Sequence, residues 1–76
     1  MQIVQVLPQD IGWVVEGCGQ PLYFRSGRWA EATARRLATA LSAHAPVELL
    51  VADRSGRLAG RLRLSDANAV GALEVA

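Results

Sequence analysis

Three arginines near the end of the chain have a spacing that suits contact with a charged partner. Arg57, Arg61 and Arg63 are predicted to share the outer face of one strand. Alternate residues of a strand lie about 6.8 Å apart, a distance comparable to that between successive phosphates. The row therefore predicts a surface that could contact a nucleic-acid backbone. Three further arginines would extend this surface: Arg35, Arg36 and Arg54.

A structural role for the same arginines competes with this interpretation. In the strand register argued below, Arg63 lies opposite Glu48, which favours a cross-strand ion pair. Charged outer faces also protect edge strands from aggregation. The chain has eight basic residues, all arginine, and seven acidic residues, whereas a dedicated polyanion binder has a basic excess. Nucleic-acid binding is therefore the weaker alternative.

The single histidine and the single cysteine are too few for a metal site. A zinc site needs three or four ligands, and His44 and Cys18 are far apart in the sequence. We expect His44 near a helix C-terminus, where the helix dipole favours its charged form. Neither a helix N-terminus nor a basic cluster adjoins Cys18 to activate its thiol. The sequence therefore predicts no metal, no cofactor and no cysteine nucleophile.

The acidic residues and glycines likewise predict no catalytic site. The seven carboxylates are scattered along the chain, and no spacing pairs two of them for acid-base chemistry. The segment Gly17-Cys18-Gly19 does not lead directly into a helix, and the chain has no lysine. It therefore lacks the features of a phosphate-binding loop. We expect that the protein is not an enzyme, and we assign no catalytic residue.

The first elements expected to position these side chains form a hairpin. Residues 2–7 are rich in β-branched residues, residues 8–12 form a turn cluster, and residues 13–18 form a second apolar run. The prediction places Val6 opposite Trp13 and Val4 opposite Val15, with all four on one face. A short third strand is expected at residues 22–25.

A helix is expected from residue 28 to about residue 43. Ser26 suits the N-cap because its hydroxyl can accept a hydrogen bond from a free amide of the first turn, and Pro46 stops the helix. The segment is dense in alanine, leucine, arginine and glutamate, which favour helices. Its apolar residues recur at spacings of three and four and form one stripe: Ala30, Ala34, Leu37, Ala38 and Leu41.

A second hairpin is expected from residues 47–53 and 57–64. Leucines alternate in the second strand, so Leu58, Leu62 and Leu64 are predicted to share one face. A one-residue slip would turn a strand over. The apolar faces therefore match only if the numbers of paired residues sum to an odd value, as they do when Leu49 lies opposite Leu62. The simplest connection is the two-residue loop Ser55-Gly56, and a bulged variant remains open.

These elements predict an α+β fold in the order β-β-(β)-α-β-β. The sheet is expected to be small and antiparallel, with one helix packed on one face. Residues 1–64 would form a single domain, and residues 65–76 a frayed C-terminal tail. We see no signal peptide and no membrane span, and a disulfide within the chain is impossible with one cysteine. We therefore expect a cytoplasmic protein that does not bind membranes.

One segment resembles the opening of a known family. The pattern Val6-x-Pro8-x-x-x-Gly12-Trp13-x-Val15-x-x-x-Gly19 is similar to the small bacterial family called domain of unknown function 2188. An alanine-rich helix and a closing strand, turn and strand with a glycine-basic step complete the resemblance over roughly residues 3 to 62. The family has no established activity, so the resemblance implies the fold order and no catalytic residue.

The face opposite the helix is the predicted interaction surface. Four apolar residues are expected there: Ile3, Leu7, Val14 and Leu50. A chain this short buries only a small core, and a second copy would bury more. Trp29, off the helix stripe, is a further candidate interface residue beside Leu50. The sequence predicts a non-enzymatic interaction domain that forms a homodimer through sheet edges or through the uncovered face.

Overall fold

The computed structural model describes residues 1–65 and 74–75. In this part of the chain, one helix and six strands follow one another in the order β-β-β-α-β-β-β. They are β1 (Gln2–Pro8), β2 (Trp13–Glu16), β3 (Leu22–Phe24), α1 (Gly27–Leu41), β4 (Val47–Ala52), β5 (Leu58–Leu64) and β6 (Glu74–Val75). The predicted third strand is confirmed.

The strands form one mixed sheet in the order β3-β2-β1-β4-β5-β6. Neighbouring strands are antiparallel except at the centre, where β1 and β4 are parallel. The α+β class with one helix on the sheet is confirmed, but the expectation of a wholly antiparallel sheet was wrong. It was drawn from the hairpins, whereas α1 returns the chain to the end of the sheet where β1 begins, so β4 runs alongside β1.

The hydrophobic core lies between α1 and one face of the sheet. Alternate residues of the central strands point toward α1, as the period of a strand requires. The helix presents Ala30, Ala34 and Ala38, all fully buried, so its axis can approach the sheet closely. The sheet contributes Val4, Val6, Val15, Val47, Leu49, Val51, Leu62 and Leu64. Leu37 and Leu41, the other members of the predicted stripe, are partly buried against this core.

The helix begins and ends close to the predicted residues. The Ser26 hydroxyl accepts a hydrogen bond from the Trp29 amide at 3.3 Å, which confirms the predicted N-cap. At the other end, the Ser42 amide donates to the Ala38 carbonyl at 2.9 Å. The Ser42 hydroxyl is buried and donates to the Thr39 carbonyl at 2.7 Å. These hydrogen bonds satisfy backbone groups that the helix ends would otherwise leave without partners.

The first hairpin has the predicted faces but a different register. Val15 lies opposite Val6, and Trp13 lies opposite Pro8, so each pair is displaced by two residues from the prediction. A shift of two preserves the face of every side chain. The four-residue loop 9–12 closes at Gly12, whose φ is +89°. A Cβ there would lie 2.2 Å from the Phe24 carbonyl oxygen, so only glycine fits.

The second hairpin confirms the central pairs and corrects the turn. Leu49 lies opposite Leu62 and Val47 opposite Leu64, as predicted. The loop, however, has three residues, 54–56, and the register shifts between Val51 and Ala52. This β-bulge places Leu58 opposite Ala52, out of phase with the other leucines. Leu58 is accordingly 43% exposed, and the prediction that it shares the face of Leu62 and Leu64 was wrong.

The end of the chain is described in part. The predicted domain boundary falls at Leu64, where β5 ends. Within the segment predicted to be a frayed tail, Glu74–Val75 forms β6 and pairs with β5, with Glu74 opposite Arg61. Residues 66–73 and 76 lie outside the described residues.

Candidate interaction surface

The sheet side that faces away from α1 is here called the helix-free face. Its residues alternate with those of the core: in β4, Glu48, Leu50 and Ala52 alternate with the buried residues at positions 47, 49 and 51. The four apolar residues predicted for this face are in phase with it, since each alternates with a core residue of β1, β2 or β4. Within the described residues, no second helix is present to cover this face.

One end of the helix-free face carries a row of apolar side chains across five strands. Tyr23 lies opposite Val14, and Val14 lies opposite Leu7. On the other half of the sheet, Ala52 lies opposite Leu58. The two halves meet because the preceding residues of β1 and β4, at positions 6 and 51, are direct neighbours. We call these five residues the apolar row: Tyr23, Val14, Leu7, Ala52 and Leu58.

The apolar row is buried in the middle and exposed at its ends. Val14 is 1% exposed and Ala52 is also buried, although both lie on the side of the sheet that faces away from α1. Tyr23, by contrast, is 70% exposed and Leu58 is 43% exposed. The row therefore offers two separated apolar contacts with a solvent-excluded centre between them.

The next row along the strands is mixed in polarity. Register places Glu16 beside Gln5, Gln5 beside Leu50, and Leu50 beside Arg61. We call these four residues the mixed row. Glu16 on β2 is exposed, Leu50 lies partly buried near the centre, and Arg61 on β5 is partly buried and lies opposite Glu74 of β6. Glu16 and Arg61 thus lie on the two strands that flank the central β1–β4 pair.

The predicted arginine row is only partly formed. Arg63 donates from Nε to Glu48 Oε2 at 2.8 Å, so the predicted cross-strand ion pair is confirmed. Arg61 and Arg63 alternate along β5 with the buried leucines and share the helix-free face. The bulge lies between Arg57 and these two, and Arg57 faces Asp53 across the turn, where its amide donates to the Asp53 carboxylate at 3.1 Å. The expectation that all three share one face was therefore wrong for Arg57.

The three arginines expected to extend the arginine row lie away from Arg61 and Arg63. Arg35 pairs with Glu31 at 3.2 Å on α1, and Arg36 is exposed on the same helix, so both belong to the other layer of the fold. Arg54 donates to the backbone carbonyls of the first hairpin loop, at 2.5 Å to Gly12 and at 2.6 Å to Gln9. The structure therefore disperses the positive charge, and no continuous arginine surface joins these residues.

The two tryptophans have different surroundings. Trp13 is partly buried against the core and touches the start of α1, because a Cβ at Gly27 would lie 2.8 Å from its ring. Trp29 is 67% exposed and, with Arg28 and Ala32, lines a cavity of about 320 Å³ on the helix layer. Trp29 and Leu50, the two predicted interface residues, consequently lie on opposite sides of the molecule.

The candidate nucleophile and ligands are also placed by the structure. Cys18 is partly buried against the core, and this burial raises the pKa of its thiol. His44 is exposed just beyond the C-terminus of α1, as expected. In residues 1–65 and 74–75, no three side chains of His, Cys, Asp or Glu gather where they could hold a metal ion.

Comparisons with known proteins give this chain no relative. No family model, no curated protein and no solved structure matches it. The resemblance to domain of unknown function 2188 therefore stays a prediction. No helix in the described part of the chain combines the length and the apolar character that crossing a membrane requires.

Proposed function

We propose that this chain is a cytoplasmic, non-enzymatic interaction domain that forms a homodimer through its helix-free face. The observation that carries the proposal is the apolar row, whose two ends, Tyr23 and Leu58, are exposed on a sheet face that no helix of the described residues covers. Exposed apolar surface on one face of a small protein marks an interaction site, and here it is supplied by the two ends of the row.

The accessible part of the apolar row is at its two ends. Val14 lies between Tyr23 and Leu7 in the register and is already buried in the single chain at 1% exposure, so a partner would contact Tyr23 and Leu58. Tyr23 has a side-chain type that is enriched in protein interfaces.

A second copy of the chain is the occupant that the size of the fold favours. A domain of 76 residues buries only about 60–65% of the surface of its unfolded chain, and here α1 covers one side of the sheet. Two helix-free faces packed together would give a sandwich of two sheets with a helix layer on each outside. Face-to-face sheets pack about 10 Å apart and interdigitate their side chains in this way.

The area of the face sets the concentration at which a dimer must be sought. Five strands about 4.8 Å apart and three rows about 6.8 Å apart cover roughly 500 Å² in projection. Standard interfaces bury about 800 Å² of accessible surface per partner, so the helix-free face suits a modest interface. We expect association at micromolar to high-micromolar concentration.

Sedimentation equilibrium across that range tests the proposal. We expect the wild type to reach the mass of a dimer, and Leu58→Lys to remain a monomer because it places a charge in the interface. Trp29→Ala is the matched control: it removes a large exposed side chain from the helix layer and should leave the dimer unchanged. A wild type that stays monomeric, or a Leu58→Lys variant that dimerises normally, would contradict the proposal.

Nucleic-acid binding is the alternative function for this face. Arg61 and Arg63 share the helix-free face, where Arg63 pairs with Glu48 and Arg61 lies opposite Glu74. Titration of single- and double-stranded oligonucleotides at two salt concentrations separates the two functions. Tight binding that weakens steeply with salt and is lost in Arg61→Ala/Arg63→Ala would favour the polyanion function over the dimer.

A further inference from the structure

We infer that the outer surface of α1 binds an extended peptide segment in which an acidic, an apolar and a second acidic residue occupy alternate positions. The apolar side chain enters the cavity lined by Arg28, Trp29 and Ala32, and the two carboxylates contact Arg28 and Arg36. This site lies on the helix layer, away from the helix-free face, so the inference goes beyond the proposed homodimer and does not depend on it.

The cavity is a gap in a row of side chains along the helix. Residues four apart in an α-helix form a ridge on its surface, and Arg28, Ala32 and Arg36 are successive members of one ridge. All three are exposed, whereas the buried alanines of α1 lie on its other side against the sheet. The short side chain of Ala32 therefore leaves a gap between two long ones on the outer surface of the fold.

Trp29 gives this gap an apolar wall. Its side chain is 67% exposed and lies outside the hydrophobic core, so it is available to a partner. It lines the cavity of about 320 Å³ together with the methyl group of Ala32 and the side chain of Arg28. Tryptophan and arginine are the side-chain types enriched where interfaces concentrate their binding energy. The cavity therefore suits an apolar side chain such as leucine.

Arg28 and Arg36 give the same surface a positive charge that the described residues do not neutralise. Neither guanidinium forms a hydrogen bond or an ion pair within the described part of the chain. The single acidic residue of α1, Glu31, already pairs with Arg35 at 3.2 Å. Charge complementarity therefore requires the partner to supply the acidic groups.

The spacing of the two arginines specifies the pattern of the segment. Arg28 and Arg36 are eight residues apart in α1, which is about 12 Å along the helix axis, and Ala32 lies midway between them. In an extended peptide, the first and fifth residues are about 13 Å apart and point to the same side as the third. One extended segment can therefore place a carboxylate at each arginine and an apolar side chain in the gap.

Other occupants fit this surface less well. A second copy of the chain would bring the same arginines against each other, and like charges in contact disfavour that arrangement. A single-stranded nucleic acid could stack a base on Trp29. Two arginines, however, supply few phosphate contacts, from which such binding derives most of its affinity, and the net charge of the chain is only +1.

Titration with three matched peptides tests the inference on the whole chain. The probe is Gly-Glu-Ser-Leu-Ser-Glu-Gly, blocked at both ends, and ¹H–¹⁵N NMR follows the protein. We expect the Trp29 indole signal and the amide signals of residues 28–36 to shift, with a dissociation constant in the high-micromolar to millimolar range. Replacing the leucine by serine, or both glutamates by lysine, should weaken binding by about tenfold or more. No shift with the probe, or equal binding of the serine peptide, would overturn the inference.

Substitutions in the protein test the gap and the charges separately. Ala32→Leu fills the gap and should weaken binding of the probe by about tenfold or more. Ala40→Leu, the same change at another exposed position of α1, is its control. Arg28→Ala and Arg36→Ala should each weaken binding by about two- to fivefold, because exposed charge pairs contribute little. Arg57→Ala, which removes an arginine from the β4–β5 turn, should have no effect. Undiminished binding by Ala32→Leu would overturn the inference.

Charge reversal provides the sharpest test of specificity. The double variant Arg28→Glu/Arg36→Glu should lose the glutamate probe and bind the lysine peptide instead, since the complementary charges are exchanged. A double variant that still binds the glutamate probe like the wild type would contradict the assigned contacts. An oligothymidylate that shifts the Trp29 signal at lower concentration than the probe, with a steep dependence on salt, would overturn the peptide in favour of nucleic acid.

The outcomes for this site and for the proposed homodimer are separable. Leu58→Lys changes the helix-free face and should bind the probe like the wild type. A wild type that stays monomeric but binds the probe removes the homodimer and retains this inference. A wild type that dimerises and ignores all three peptides has the opposite consequence.

Discussion

The guanidinium of Arg54 lies 5.3 Å from the centroid of the Trp13 ring. The same guanidinium donates to three carbonyls of the loop that precedes Trp13, those of Gly12, Gln9 and Asp10. Arg54 belongs to the β4–β5 turn, so it joins the two hairpins at one end of the sheet. The parallel arrangement of β1 and β4 makes this possible, because it brings the ends of both strands to the same side.

Replacing Arg54 should loosen this end of the sheet. Arg54→Ala removes hydrogen bonds from a charged donor and a cation–π contact, and we expect a loss of about 1–2 kcal/mol in the free energy of unfolding. Arg54→Lys should recover less than half of it, because an ammonium cannot match the planar fork of donors. Urea unfolding followed by tryptophan fluorescence measures both changes.

The neighbouring arginine provides the control for this prediction. Arg57 is exposed, and its hydrogen bonds to the turn are made by its backbone amide and carbonyl, which the alanine variant keeps. Arg57→Ala should therefore change the free energy of unfolding by less than about 0.5 kcal/mol. Equal losses in the two alanine variants would show that Arg54 does not hold the loop.

Two glycines of similar conformation should respond differently to alanine. Gly12 and Gly56 have φ values of +89° and +90°, so alanine is strained at both, at a cost of about 1 kcal/mol or more. At Gly12 the new Cβ also meets the Phe24 carbonyl, whereas at Gly56 nothing lies within 4 Å. We expect Gly12→Ala to destabilise the fold by at least about 2 kcal/mol more than Gly56→Ala does. Thermal unfolding of the two variants side by side checks this, and similar melting temperatures would contradict the contact.

The carboxylate of Asp53 organises the second turn and should make it sensitive to acid. Its Oδ1 accepts from the Ser55 hydroxyl at 2.6 Å and from the Ser55 and Arg57 amides at 2.9 and 3.1 Å. The Ser55 hydroxyl bond is the largest cause that lowers the pKa of Asp53, and the two amide bonds and the charge of Arg57 lower it further. The turn is thus held best when Asp53 is ionised.

The sign of the pH effect follows from this lowered pKa. Since the pKa is lower in the folded state than the value of about 3.9 for an unfolded chain, the contribution to stability is present above that value. It is lost as the pH falls through the folded-state pKa. We expect Ser55→Ala to raise the pKa of Asp53 toward its ordinary value, as measured by NMR titration of the carboxyl carbon. An unchanged titration curve would show that the hydroxyl does not bond to the carboxylate.

Local patterns in the sequence predicted much of the fold. The alternation of apolar residues assigned Leu49 and Leu62 to the same face and paired them correctly, since a one-residue error would have buried arginines. The cap at Ser26 followed from side-chain chemistry in the same way. The parallel pairing of β1 with β4 could not be predicted from local patterns. It depends on where the helix returns the chain, and the paired residues are far apart in the sequence.

The candidate surface was predicted less completely, for a reason that one residue illustrates. Leu50 was assigned correctly to the helix-free face by its phase in β4. Leu58 was assigned to the core because the bulge that changes its phase has no strong sequence signal beyond the glycine at position 60. The apolar row therefore emerged only from the register of five strands. The sequence likewise carries no local pattern that predicts the hydrogen bonds of Arg54, since its partners are more than 40 residues away.

A concentration series of ¹H–¹⁵N NMR spectra tests most directly whether the helix-free face is the interface of a homodimer. Between about 10 μM and 1 mM, where modest interfaces associate, we predict that the amide signals of Leu7, Val14, Leu50 and Leu58 shift together. The indole signal of Trp29 on the helix layer should stay in place. Shifts confined to α1, or spectra that do not change with concentration, would contradict the account.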